Sequence, residues 1–431
     1  MMKRVIWSLA AILISGAIAM AQATPPEYKQ QPAKLFTPRN GLGNVLAKLD
    51  AGKDVRIAYF GGSITAAAGW RPKTLKWFQE TWPNAKVSEI HAAIGGTGSD
   101  LGVFRCRQDV LSKNPDLVFV EFAVNDSGAM PEAIWRSMEG IVRQIWSQDP
   151  TIDICYVYTI TASIAPDLEN GMCPRAAGAD EMLADYYGIP SINVGLRIAQ
   201  LKLEDKLIYT SPKDENGKPL PGPEGHIVFS DDSVHPLDAG HQIYTEVIAN
   251  AITDLRAGAK PGPHELKPAF TPGNMEQARL VPLTPAILTP GWTKLNPAEG
   301  LAARFRSVMP ELWQASTPGE KISFKFKGTT ARLYDLVGPN GGQVIVTVDG
   351  KTSGPRPRFD SYCTYHRPAA VSLCEGLPDA VHEVTVELDS KQPDRSSVTN
   401  REKDKPNFNP ATYDGTNLWV ASLMLIGDLV E

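Results

Sequence analysis

Val55-Arg56-Ile57-Ala58-Tyr59-Phe60-Gly61-Gly62-Ser63-Ile64-Thr65 begins as a strand and ends as a tight turn. Val55, Ile57 and Tyr59 share one face at period two, and Ala58 and Phe60 make the other face apolar as well. A strand greasy on both sides belongs inside a parallel sheet. Gly61-Gly62 can take backbone angles closed to other residues. Ser63 follows at once, and Pro72 marks the start of a helix soon after. In an open parallel sheet, chemistry gathers where strands reach their carboxyl edge. A serine held in a sharp turn there is a candidate nucleophile.

The same alternation continues downstream. Leu75, Phe78 and Trp82 recur at helical spacing. Residues 86–90 read as a short strand, and the Gly-rich turn 94–99 leads into a helix. Leu117 to Phe122 is a continuous apolar strand interrupted only by Glu121. A helix from Pro131 has Ile134, Met138, Ile141 and Ile145 on its apolar side. Residues 152–160 form a buried strand, 174–187 a helix and 189–194 the last strand of the sheet. Residues 205–225, rich in Lys, Pro and Gly, read as a loop, and 238–255 returns to helical spacing. Strand–helix alternation of this kind predicts an α/β domain with a parallel sheet covered on both faces.

Prolines crowd residues 258–272, and the period then changes to two. In Lys321-Ile-Ser-Phe-Lys-Phe-Lys327, Ile322, Phe324 and Phe326 lie on one face. Residues 331–337, 343–348, 382–388 and 418–426 are further strands, with a turn at Val348-Asp349-Gly350. An all-β sandwich of jelly-roll type is expected there. The organisation predicted is therefore a leader over 1–23, an α/β domain over 24–260 and a β-sandwich over 270–431.

The leader has Lys3 and Arg4, a short apolar run over 6–18, and small residues around Ala19-Met20-Ala21 and Ala21-Gln22-Ala23. That is the pattern of a secretory signal peptide, too short in its apolar run for a membrane span. Secreted or periplasmic residence follows, with no membrane attachment after cleavage. No cysteine adjoins the cleavage site for lipid attachment. The formal net charge of −5 offers no basic field for nucleic acid. Of the five cysteines, Cys155 with Cys173 and Cys363 with Cys374 are candidate local disulfides, while Cys106 reads as a buried thiol. No spacing suggests a metal site.

Four stretches carry chemistry: Gly61-Gly62-Ser63, the Gly95-Gly96 turn, Glu121-Phe-Ala-Val-Asn125-Asp126, and Asp232-Ser-Val-His235-Pro236. Acyl transfer needs a nucleophile, a base and a group that orients the base. Ser63 can attack, His235 can take and return its proton, and Asp232 can hold the imidazole from three residues away. Asp231 is the rival for that last role. The N–H groups of Ser63 and Gly96 and the amide of Asn125 can form an oxyanion hole.

This ordered set resembles the SGNH, or GDSL, hydrolases. Phe60-Gly-Gly-Ser63-Ile64 is similar to their first block, Gly96 to the second, Asn125 to the third and Asp232-x-x-His235 to the fifth. Gly62 stands where the family name has Asp, and Ala123 where the third block often has Gly. The resemblance, over residues 54–255, implies a flavodoxin-like three-layer α/β/α fold and ester hydrolysis with no metal or other cofactor. For secreted members with an added β-sandwich it implies removal of O-acetyl groups from a polysaccharide or oligosaccharide. A non-catalytic glycan-binding protein and a lipid or aryl esterase are the alternatives.

Other residues divide between site and scaffold. Glu121, a carboxylate in an apolar strand, calls for a cation or hydrogen bonds, with Arg56, Arg71 and Arg105 as candidate partners. Trp70 reads as core rather than as the lining of a sugar pocket, and His241 as a packing or surface residue rather than a base. In the sandwich, Trp313, Tyr334, Tyr362, Tyr365 and Trp419 are either core or a carbohydrate platform.

Overall fold

The computed structural model describes residues 26–258 and 260–430, so the leader over 1–23 lies outside the described residues. No helix among the described residues is long and apolar enough to cross a membrane. In the first domain β1 (Phe36–Thr37) and α1 (Gly43–Asp50) lead into β2 (Val55–Gly61), α2 (Ser63–Ala66) and α3 (Trp70–Thr81). Then come β3 (Val87–His91), α4 (Ser99–Asp109), β4 (Leu117–Glu121), α5 (Pro131–Gln148) and β5 (Asp153–Val157). The domain continues through α6 (Ala165–Glu169), α7 (Arg175–Tyr187), β6 (Ser191–Ile192), α8 (Val194–Leu203), β7 (Leu207–Thr210), β8 (Ile227–Ser230) and α9 (Asp238–Arg256).

The main sheet has the order β1-β6-β5-β4-β2-β3, parallel except for β1. Counted without β1, this is the flavodoxin-like order, in which the strand sequence reverses between β2 and β4. The two faces of β2 explain the sheet's burial. Val55, Ile57 and Tyr59 pack into one apolar cluster with α1, α3, α8 and α9. Ala58 and Phe60 pack into the other, with α4, α5 and α7. Helix α5 begins with Pro131, which fits the first helical turn, and buries Ile134, Met138, Ile141 and Ile145.

Three features differ from the sequence reading. Within residues 205–225 the chain forms β7, which pairs in parallel with β8. The strand expected over 189–194 shortens to two residues and turns directly into α8, whose Asn193 side chain accepts the Leu196 N–H. The cysteines are all unpaired. Cys155 and Cys173 face opposite sides of the sheet, Cys363 is buried in a small separate cluster, and Cys374 closes a strand elsewhere.

In the second domain every pairing between named strands is antiparallel. Its strands are β9 (Ala278–Pro282), β10 (Thr293–Lys294), β11 (Trp313–Ala315), β12 (Lys321–Val337), β13 (Gln343–Val348), β14 (Lys351–Pro357), β15 (Arg367–Cys374), β16 (Ala380–Leu388) and β17 (Leu418–Val430). The two strands expected over 321–327 and 331–337 are one, β12. Its first half pairs with β16 and its second half with β15, while β17 follows both. At the changeover Gly328 lies opposite Gly427, where a Cβ on either would meet the partner strand's backbone within 2.3 Å. Asp349 and Gly350 both take positive φ in the β13–β14 hairpin, as the turn signal requires.

The two domains share a continuous core. Ala278, Phe305, Met309, Leu336, Trp419 and Met424 join the cluster built on α4 and α5. Arg332 of β12 reaches Asp100 of α4 at 3.4 Å and lies over the Phe104 ring.

Candidate active site

β2 ends at Gly61, and α2 begins at Ser63. The turn between them is possible because neither glycine carries a Cβ. On Gly61 a Cβ would stand 2.5 Å from the Glu121 carbonyl oxygen, and on Gly62 it would stand 1.9 Å from Asn125 Oδ1. The departure from Asp at position 62 therefore has a steric cause: the Asn125 side chain occupies that place.

The loop that carries Asp232 and His235 follows β8. Asp232 Oδ1 accepts the N–H groups of Val234 and His235 at 2.9 and 2.8 Å and the Ser230 hydroxyl at 3.0 Å. Ser233 takes φ +72, which closes the loop tightly. His235 Nδ1–H donates to Asp232 Oδ2 at 2.6 Å. That bond selects the tautomer whose Nε2 accepts the Ser63 hydroxyl, at 2.8 Å. Residues 63, 235 and 232 thus form one hydrogen-bonded relay from loops far apart in sequence. Burial alone would raise the Asp232 carboxyl, but the imidazole, the two backbone N–H groups and Ser230 outweigh it and hold the group well below the usual carboxylate range. The rival Asp231 instead accepts the Ser211 hydroxyl.

The donors expected for an oxyanion border the same spot. Gly96 has φ +72, and nothing lies within 4 Å of where its Cβ would be. A Cβ on neighbouring Gly95 would sit 3.6 Å from Ser63 Cβ. Asn125 is exposed in the turn that follows β4, with its oxygen turned to Gly62. Asp126 ties this turn to the Gly96 loop, because its Oδ1 accepts the N–H of Ser99, the first residue of α4, at 3.0 Å. Burial pushes the Asp126 carboxyl up to about 6, against the pull of its bonds to Ser99.

Of the two ways the sequence left for Glu121 to be satisfied, hydrogen bonds or a cation, the structure uses hydrogen bonds. None of Arg56, Arg71 or Arg105 pairs with its carboxylate; the hydroxyls of Thr65 and Thr159 donate to it at 2.7 and 2.8 Å. Arg71 instead holds Glu89 and the Thr65 carbonyl, and Arg105 holds Asp109 and the Ala92 carbonyl. Trp70 is fully buried, edge-on to Tyr59 and Phe119. His241 is buried against Gly69, behind the site, where a Gly69 Cβ would be 2.3 Å from its ring.

A cleft of about 310 Å³ opens beside Gly96 between the domains. Gly96, Thr97 and Gly98 line one wall, and Arg358, Phe359 and Asp360 line the other. Near that second wall Tyr362 and Tyr365 are 71% and 49% exposed, whereas Tyr334 and Trp419 are core. Among the described residues no group of three His, Cys, Asp or Glu side chains is arranged to hold a metal ion.

Residues 59–243 match the GDSL-like Lipase/Acylhydrolase family. A two-domain esterase active on acetylated mannans, crystallised with mannopentaose, has a similar fold, with a TM-score of 0.68 at 20% identity over 94% of this chain and 100% of its own. A second structure of a two-domain esterase active on acetylated mannans gives 0.68 at 21% identity, over 91% and 97%. No curated protein sequence matches this chain.

Proposed function

Residues 59–243 carry a GDSL-like acylhydrolase domain, which makes this chain a carboxylic ester hydrolase, and from that premise we propose an exported carbohydrate O-acetylesterase working through Ser63, His235 and Asp232. The observation that carries this reading is the relay itself, at 2.8 Å from Ser63 Oγ to His235 Nε2 and 2.6 Å from His235 Nδ1 to Asp232 Oδ2. Ser63 Oγ attacks the ester carbonyl carbon while Nε2 takes the hydroxyl proton. The carbonyl oxygen becomes an oxyanion facing the N–H groups of Ser63 and Gly96 and the Asn125 amide. The intermediate collapses, the C–O bond to the sugar breaks, and His235 returns the proton to the sugar oxygen. A water, deprotonated by the same Nε2, attacks the acetyl-Ser63 carbonyl. Acetate leaves, and the proton returns to Ser63.

The polysaccharide part of the proposal draws on the inter-domain cleft and the exposed tyrosines beside it, a shape suited to an extended chain with apolar sugar faces. The similar two-domain esterases act on acetylated mannans, so acetylated mannan is the first substrate to assay. The leader supports export. Acetate release from acetylated mannan and xylan, with Ser63→Ala as control, tests the proposal. Release by the parent and none by Ser63→Ala is expected. Activity confined to long-chain esters overturns the acetyl assignment, and parental turnover by Ser63→Ala overturns the nucleophile.

A further inference from the structure

The two residues that flank Ser63, at one and two positions' distance, both rest on Glu121. Its backbone carbonyl accepts the Gly62 N–H at 3.3 Å, and its Oε2 accepts the Thr65 hydroxyl at 2.7 Å. Thr65 lies within α2, the single turn that Ser63 opens. The remaining oxygen, Oε1, accepts the Thr159 hydroxyl at 2.8 Å. Thr159 belongs to the segment that follows β5. One residue on, the Ile160 N–H donates to the Tyr244 hydroxyl of α9 at 3.2 Å. Two residues further, the Ala162 N–H donates to the Ser233 carbonyl at 2.9 Å. Ser233 sits between Asp232 and His235. One carboxyl therefore links the turn that presents Ser63 to the segment on which the His235 loop rests.

The arrangement is costly for a plain scaffold. Glu121 is 1% exposed, and among the described residues no Lys, Arg or His forms an ion pair with it. A carboxylate taken out of water without a cation is destabilising unless hydrogen bonds compensate. Burial pushes this carboxyl up to about 7, with the two hydroxyls pulling the other way. Room for it depends on Gly61, where a Cβ would stand 3.1 Å from Glu121 Oε2 and 2.9 Å from Thr65 Oγ1.

We propose that Glu121 is a positioning residue: through Thr65 and Thr159 it sets the separation of Ser63 Oγ from His235 Nε2, and so governs the chemical step without touching substrate. This rests on the assignment of Ser63 and His235 as nucleophile and base. Small errors in such a distance act on the barrier and leave ground-state binding alone, and a displacement of about 1 Å can cost roughly a hundredfold in rate.

The test uses the full chain and a small aryl acetate. Thr65→Val and Thr159→Val each remove one hydroxyl at constant shape, Glu121→Leu removes both bonds, and Glu121→Gln keeps one acceptor and gains one donor. Folding is followed by thermal melts, and Ser63 reactivity by its rate of labelling with an organophosphate. The two valine variants should lower kcat by roughly 10- to 100-fold with KM within about twofold, and labelling should slow by the same factor. Glu121→Gln should recover kcat to within about fivefold of the parent where Glu121→Leu does not. Folded valine variants with parental kcat and labelling rate overturn the proposal even if Glu121→Leu fails to fold. Parental turnover in Ser63→Ala overturns the underlying assignment instead, so the two failures are told apart.

Discussion

Asn125 Oδ1 lies 1.9 Å from where a Cβ on Gly62 would be. The turn after β2 and the turn after β4 are thus in direct steric register, and Gly62 is what leaves room for the Asn125 side chain against the turn that carries Ser63. A methyl group at position 62 must push Asn125 away. Gly62→Ala should lower kcat by about a hundredfold on a small aryl acetate, in the range expected for loss of one oxyanion donor. Asn125→Ala should do the same, and the double variant should be little worse than either single one, because both remove the same interaction. Steady-state kinetics of the three variants check this. Multiplying losses would mean that Gly62 serves something other than Asn125.

Asp232 is held by four donors, and its carboxyl lies far below the ordinary carboxylate value of 3.8. The sign follows from the direction. A carboxyl depressed in the folded protein contributes above its unfolded pKa, and the contribution disappears only as pH falls through the lower folded value. Asp232 therefore stays ionised across the working range. The acid limb of kcat/KM should show no added ionisation from the Asp232 carboxyl down to about pH 4. Asp232→Asn should reduce kcat on the order of 10³- to 10⁴-fold by releasing the tautomer. An added ionisation on that limb in the parent that is missing from Asp232→Asn would show that the carboxylate titrates within the working range.

Much of this geometry was written in local sequence. The faces of β2, the Gly-Gly turn and the Asp232-x-x-His235 spacing each depend on residues within a few positions of one another; in the structure both faces of β2 are packed, and Asp232 lies 2.6 Å from His235. What escaped depends on distant partners. β7 and β8 are four-residue strands that exist because they pair with each other across a long connection. β12 looks like two strands because Gly328-Thr329-Thr330 interrupts its pattern, yet β17 runs alongside both halves. For Glu121 the sequence left a cation and hydrogen bonds both open, because the choice depends on distant partners: Arg71 and Arg105 are committed elsewhere, and two threonine hydroxyls satisfy the carboxyl. The aromatic residues of the second domain could not be sorted by type, since only packing separates buried Trp419 from exposed Tyr362.

That separation makes a prediction for the cleft. Asp360 lines it, and the Asp360 side chain accepts the Tyr362 N–H at 2.9 Å, fixing the tyrosine near its rim. Tyr362→Ala and Tyr365→Ala should each raise KM for an acetylated mannooligosaccharide by about 3- to 10-fold, the scale of one lost aromatic contact. Activity on an aryl acetate, which has no sugar chain to reach them, should stay within about twofold. Equal losses on both substrates would place the effect on domain stability.

His241 gives a prediction about stability. Its ring is buried against Gly69, and its Nδ1 has no hydrogen-bond partner. Burial is the main reason its pKa falls from 6.5 to about 4; Lys73 and His235 push the same way and Asp238 opposes them. The folded protein thus holds this imidazole neutral, whereas the unfolded chain protonates it near the ordinary value. The stability it contributes is present above pH 6.5 and is lost as pH falls through about 4. Glu121 runs the opposite way: with its pKa raised from 4.5 to about 7, its contribution is complete below 4.5 and fades as pH rises through 7. Melting temperature against pH should therefore fall less steeply between pH 6.5 and 4 in His241→Gln than in the parent, and less steeply between pH 4.5 and 7 in Glu121→Gln. Each pH unit over which one such group is forced into its disfavoured form is worth about 1.4 kcal/mol, large enough to resolve by calorimetry. A parallel pair of curves for His241→Gln and parent would mean that the imidazole is solvated in the folded protein.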